Sequence, residues 1–440
     1  MDTILPLLCC LSGTVTRTTL RQLSRIALAM LTMTGRVTML GLSRWTGSGG
    51  SYRTVQRFFH TTLPWAAILW VFVRTQLTPG DRHLLVGDEC VVTKAGTETY
   101  GVDRFFSRIF GKPVPGVSLF ALALVSCTER QAFPVQIEQV VREPAPALPP
   151  TVPAMKRKPG RPKGSSTQAK ADAPLNAEHA RISTMIQALL TRIGPYLAVT
   201  YLVLDGHFGN QNAVLMARRL GVQLISKLRS DSALYYPYAG PYAGRGPHRI
   251  YGERIDPTAI PERYLKQTTV ENHVETRIYQ IGARHETFDQ PLNVVVIVKY
   301  HQTTGKQAHV YLFSSDRTLA WDELRDDYQL RFQIEFTFRD AKQYWGLEDF
   351  MVVTETAVTN AMNLAFFMVN LSRRLVCDRR CTDPHASILD LKAYYRGRAY
   401  AEEVIKLLPE TPEPGLLRRL LAQVTGLGRI HQIPADVLTG

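Results

Sequence analysis

Cysteine is scarce. Six in 440 residues are too few and too irregularly spaced for a disulfide framework. Cys377, Cys381 and His385 do follow one another at steps of four, the spacing of metal ligands along one helix. Pro384 interrupts that helix and no fourth ligand is evident, so these residues read as ordinary thiols and a histidine. Long apolar runs are also lacking. The nearest, "WAAILWVFV" at Trp65–Val73, falls short of the roughly 18 residues of a membrane span and reads as a buried helix. The opening "MDTILPLLCCLS" has no basic stretch ahead of its apolar residues, which argues against a secretion signal and for a cytosolic protein. Acid is in deficit as well, with 38 Asp and Glu against 52 Lys and Arg, a net charge of +14. A polyanion, most simply nucleic acid, is the expected partner.

What is present changes texture along the chain. Up to about residue 80 the pattern is helical. "RTTLRQLSRIALAMLTM" carries apolar residues at three- and four-residue steps, and "TGSGG" at Thr46–Gly50 makes a turn. "SYRTVQRFFH" then starts at Ser51, a residue suited to an N-cap, and brings Arg53, Gln56 and Arg57 into its first turns. Helix, turn and basic second helix is the layout of a helix-turn-helix DNA reader. A helical bundle that only packs on the next domain is the alternative.

From residue 81 the runs "HLLVGDECVV", "SLFALALVSC" and "QAFPVQIEQVV" predict three antiparallel strands. A Pro-rich and then basic stretch, residues 142–173, has the composition of a disordered loop. Its "KPGRPKGS" resembles an AT-hook, with Arg161 and Lys163 placed for a narrow minor groove. The alternative is a solvated linker that binds any DNA backbone. A helix ("AEHARISTMIQALLTRI"), a buried strand ending at Asp205, another helix and another strand follow. That order predicts an α/β, ribonuclease-H-like core. Alternating residues over 231–319 predict a β-rich insertion, and helices return from 320.

Three carboxylates carry the chemistry. Asp88 lies near the middle of a predicted strand, and Asp205 directly follows "YLVL", at the end of a strand where α/β sheets bind ligands. The third stands in "RFQIEFTFRDAK". On one continuous helix turning about 100° per residue, Tyr328, Arg331, Glu335 and Lys342 fall within an arc of roughly 60°, while Phe332, Ile334 and Phe336 anchor the other faces. An acid flanked by cations suits phosphoryl transfer assisted by divalent ions, in which Arg and Lys clamp the phosphodiester. The bland alternative is a salt-bridged surface face.

Tyr328, two residues, Arg331, three residues, Glu335, six residues, Lys342 resembles the Y-R-E-K signature of bacterial insertion-sequence DDE transposases, of insertion sequence family four and relatives. The likeness runs over about residues 80–370. It implies that Asp88, Asp205 and Glu335 bind two Mg²⁺ (or Mn²⁺) ions, and that Tyr328, Arg331 and Lys342 contact DNA at the scissile phosphate. It further implies binding of double-stranded element ends and target DNA, strand transfer, at least a dimer in the synaptic complex, and a place in the bacterial cytosol at the nucleoid. After the second Asp the family often shows Asp, one residue, Gly or Ala, one residue, aromatic; this chain has "DGHF" instead.

The expected layout is a helical DNA-binding domain (1–80, with Arg53 and Arg57), a core in two parts (81–230 and 320–380), the insertion (231–319) between them, and a helical C-terminal region (381–440). A metal-dependent nuclease on the same fold, and a domesticated non-catalytic DNA-binding protein, are the rival readings.

Overall fold

Apolar residues three and four apart build the first helices. The computed structural model of the chain describes residues 4–47, 50–107, 111–142, 173–242, 244, 246, 248–410 and 412–431. Arg161, Lys163 and nearly all of the basic loop therefore lie outside the described residues. Helix α1 spans Leu5–Leu8 and α2 Arg17–Thr32, the latter capped by Thr16, whose hydroxyl accepts from the Thr19 amide at 3.2 Å. One face of α2 buries Leu20, Leu23, Ile26, Ala27, Met30 and Leu31. A short α3 (Met39–Ser43) separates it from α4 (Tyr52–His60). Ser51 holds the N-cap position of α4 without making the capping bond; its hydroxyl meets that of Thr54 at 3.2 Å.

The apolar run forms α5 (Trp65–Arg74), which buries Trp65, Ile68, Leu69, Trp70, Phe72 and Val73. These helices share a core with the far end of the chain. Asn360 donates to the carbonyls of Phe59 (2.7 Å) and Thr61 (2.8 Å) and accepts from the Trp65 indole (2.6 Å). Buried at 1% exposure, it satisfies backbone groups between α4 and α5 that would otherwise be stranded.

Strands β1 (His83–Thr93), β2 (Asp103–Ser107), β3 (Lys112–Ser126) and β4 (Gln131–Val140) come next. Helix α6 (Ala177–Ile193), β5 (Tyr201–Val203), α7 (Gln211–Arg219) and β6 (Gln223–Leu228) complete the first half. β3 pairs antiparallel with β1 on one side and with β4 and β2 on the other, while β5 runs parallel to both β1 and β6. Side by side the order is β4-β3-β1-β5-β6. Both faces are covered: Leu84 and Val86 point into one core, Leu85, Leu202 and Leu204 into the other. Burial on both sides is why these strands read as unbroken apolar runs.

The β-rich stretch continues the same sheet. Strands β7 (Leu234–Pro237), β8 (Tyr251–Arg254), β9 (Leu265–Glu271), β10 (Val274–His285), β11 (Leu292–His301) and β12 (Gln307–Ser314) extend it from the β6 edge, where β12 pairs antiparallel with β6. Asn272 and His273, both at positive φ (50° and 61°), close the two-residue β9–β10 hairpin with the mirror-type turn such hairpins favour.

Two helices stand where the sequence predicts one continuous helix. α8 (Trp321–Leu330) and α9 (Gln333–Tyr344) meet at Arg331–Phe332, where the amides of Arg331, Phe332, Ile334 and Glu335 reach back three residues rather than four. Tyr328 therefore belongs to α8, Arg331 to the junction, and Glu335 and Lys342 to α9. Nor does Phe332 anchor the helix: it is 49% exposed, and the burial falls to Ile334, Phe338 and Ala341. A long α10 (Glu355–Arg380), α11 (Ile388–Lys406) and α12 (Pro414–Gly426) complete the chain.

No helix among the described residues is long and apolar enough to cross a membrane. Cys377 and Cys381 are exposed free thiols at the end of α10.

Candidate active site

The site forms where β1, the end of β5 and the α8–α9 junction meet. Asp88 is the sixth residue of β1, paired across to Ala121 of β3. Its Oδ1 accepts from the Glu89 amide at 2.8 Å. Next to it Gly87 leaves room for a close approach, since a Cβ there would come within 2.8 Å of Phe120 and 2.9 Å of Leu204. Leu204 packs into that space, and Asp205 is the next residue. Asp205 caps the short turn Gly206–Phe208 by accepting from the His207 amide at 3.0 Å. Its carbonyl accepts from Ser226 on β6 at 2.7 Å, which ties the strand ends together.

Arg331 closes the constellation. Its Nη1 donates to Asp88 Oδ2 at 2.8 Å and its Nη2 to Glu335 Oε1 at 2.7 Å, with the guanidinium only 15% exposed. Burial pushes the Asp88 carboxyl up to about 6; Arg331 pulls it down, and the negative charges of Asp205 and Glu335 add to the rise. Burial opposes the charge on Arg331 too, but Asp88 and Glu335 hold it above its usual range. The Tyr328 phenol is raised by burial. Lys342 reaches back to β1, donating to the Val91 carbonyl at 2.9 Å and pairing with Glu348 at 3.3 Å.

Two open clefts flank this group. Asp88, Asp205, Glu335 and Lys342 line one of about 840 Å³, together with Phe106 of β2, which is 61% exposed. The other, of about 710 Å³, is lined by Asp205, Tyr328, Arg331, Lys227 and Arg229. Arg53 and Arg57 line neither; they are exposed on α4.

Sequence reasoning passed over Lys227, Arg229 and His207, whose ring meets Glu178 at 3.2 Å. The available signal was position alone: Lys227 and Arg229 sit at the end of the strand beside the one that ends at Asp205.

Three oxygen-donor carboxylates on one cleft, two of them raising the pKa of the third, are the donor chemistry of a hard divalent cation. Among the described residues no group of three or more His, Cys, Asp or Glu side chains is drawn together tightly enough to hold a metal. Arg331 supplies the positive charge between Asp88 and Glu335 instead.

A family model described as "DDE superfamily endonuclease" matches residues 6–286, well over half of the 440. The chain belongs to the DDE superfamily endonucleases. The matched span contains Asp88 and Asp205 and ends before Glu335. No curated protein matches the chain. Membership supports a nuclease or transposase type of function that depends on divalent metal and acts on DNA.

Proposed function

We propose that the protein is a DNA transposase of the Y-R-E-K group. In this reading Asp88, Asp205 and Glu335 hold two Mg²⁺ or Mn²⁺ ions, and the chain cuts the ends of an insertion sequence and joins them to target DNA. The observation that carries it is the meeting of three carboxylates, from β1, the end of β5 and α9, on one cleft, with Arg331 bridging two of them. The strand order β4-β3-β1-β5-β6 supports a ribonuclease-H-like core, with β7–β12 as its insertion.

Bound divalent ions supply an activated oxygen nucleophile and neutralise charge on the phosphodiester. The residues do the rest. Asp88, Asp205 and Glu335 would hold the ions, and Arg331 would present its planar fork to the phosphate, a geometry that Lys cannot match. Tyr328 fixes that fork from α8, and Lys342 exchanges Glu348 for a phosphate oxygen. In the first step water attacks phosphorus and the P–O3′ bond breaks, leaving a 3′-hydroxyl and a 5′-phosphate. In the second that 3′-hydroxyl attacks a target phosphodiester, so one P–O bond replaces another and no outside energy source is needed. Arg53 and Arg57 on α4, with Arg161 and Lys163 of the basic loop, bind the duplex away from the chemistry. Two or more copies hold the paired ends.

Incubating the protein with Mg²⁺ and DNA bearing the element's ends, then mapping nicks and joined products, tests this. Asp88→Asn, Asp205→Asn and Glu335→Gln should each lower cleavage by on the order of a thousandfold while end binding persists. Cleavage without any joined product would mean a nuclease rather than a transposase.

A further inference from the structure

Asp205, Tyr328 and Arg331 line the second cleft and serve the chemistry just described, but its two other cations, Lys227 and Arg229, have no task there. Asp88 and Glu335 line the first cleft but not the second, while Asp205 and His207 line both. Lys227 near the end of β6 and Arg229 just beyond it are two apart, so along an extended chain they point the same way. Neither makes a side-chain hydrogen bond or ion pair with any described residue, although Asp231 shares the lining. Their platform is tied down on two sides: Ser226 donates to the Asp205 carbonyl at 2.7 Å, and the His309 ring meets the Ser230 carbonyl at 2.8 Å. Most other cations around the site are engaged, Arg331 by Asp88 and Glu335 and Lys342 by Glu348. Two unengaged cations on a fixed strand end, in a cleft that leads to a metal-type carboxylate, fit a phosphodiester backbone rather than a base.

We propose that this cleft is a phosphate channel, in which Lys227 and Arg229 hold the backbone of the strand being cut, on the opposite side of the scissile bond from Lys342. The proposal rests on the reading of Asp205 as part of the cutting site. Because backbone contacts carry no sequence information, both residues should act on DNA of any sequence.

The test uses the full chain and a fluorescein-labelled, mixed-sequence DNA duplex, with the matching single strand as a second probe. Ca²⁺ replaces Mg²⁺ so that binding is read without cutting. Lys227→Gln with Arg229→Gln should weaken binding about tenfold and make the salt dependence shallower by about 1.8, roughly 0.9 per lost phosphate contact on duplex DNA. Lys227→Arg with Arg229→Lys should restore the slope, which a merely structural role would not require.

A walk of single methylphosphonate linkages along the strand then locates the contact. Neutralising the contacted phosphate should add no further loss in the Gln variant, and that position should lie across the cut from the one coupled to Lys342. An unchanged salt slope, or coupling on the same side as Lys342, overturns the proposal. If Asp205→Asn still cuts in Mg²⁺, the reading of Asp205 falls instead, and the salt slope decides the channel on its own.

Discussion

Arg331 donates to Asp88 at 2.8 Å across 243 residues of chain. A cation at a helix junction thus neutralises a strand carboxylate whose ordinary chemistry, with Asp205 and Glu335 nearby, would be repulsion. The pair has a consequence for the protein without metal. Arg331→Ala leaves Asp88 and Glu335 without their partner, and each lost charge-assisted bond should cost about 1.5–3 kcal/mol. Mg²⁺ should then raise the melting temperature of Arg331→Ala more than that of the natural protein. Arg331→Lys should recover only part of both stability and cleavage. Equal metal-induced shifts in all three proteins would show that Arg331 and the cation do not compete.

Gly87 sets how closely β5 approaches β1. Gly87→Ala puts a methyl against Phe120 and Leu204, an overpacking that typically costs about 1–3 kcal/mol. Since Leu204 is bonded to Asp205, cleavage should fall by more than the stability loss alone explains. Chemical denaturation and end cleavage on the same variant check this; full cleavage would mean that the Asp88–Asp205 spacing tolerates the shift.

Lys392 on α11 predicts a pH effect. Its ammonium lies 4.8 Å from the Trp345 ring and donates to the Tyr344 carbonyl at 3.1 Å. Burial pulls its pKa down to about 8; Arg396 lowers it further and Asp349 opposes. The unfolded chain keeps that proton up to about 10.4. Between these values the unfolded state binds more protons, so stability rises with pH; below 8 both states are charged and the full penalty stands. Lys392→Met should flatten this rise in denaturant midpoints measured from pH 8 to 10. An unaltered slope would place the effect elsewhere.

Asp390 fastens the end of the described chain. It accepts from the amides of Ile430 (2.7 Å) and His431 (3.2 Å), meets the His431 ring at 2.7 Å, and forms a capping box with Ser387 at the start of α11. Its carboxyl is held well below the usual range: burial opposes the charge, and the bonds from His431, Ser387 and the two amides outweigh it. Asp390→Ala should remove the carboxylate half of the capping box, leaving the Ser387 cap on the residue-390 amide, and release residues 429–431. Faster amide exchange at Ile430 and His431, with exchange in β1 unchanged, is the expected signature.

The sequence by itself marked the longer strands and helices through residue 230, though not the short edge strand β2 (Asp103–Ser107), as well as the helical return after 320 and the three carboxylates as candidates. Burial on one face or two writes itself into apolar periodicity, and a strand end followed by Asp is visible in the chain. The spacing of Tyr328, Arg331, Glu335 and Lys342 was equally legible, but its geometry was not. Periodicity cannot register the change from four-residue to three-residue bonds at Arg331, which splits one predicted helix into two.

Only the tertiary structure decided what each charge faces. Arg331 meets Asp88, Lys342 meets Glu348 and a strand carbonyl, and Lys227 and Arg229 are left to a cleft. Asn360 likewise joins the N-terminal helices to α10, where composition alone marks a boundary near residue 80. Local sequence sets backbone propensity and which side chains are apolar. Which charges become partners depends on distances between segments hundreds of residues apart, and those exist only once the sheet has assembled.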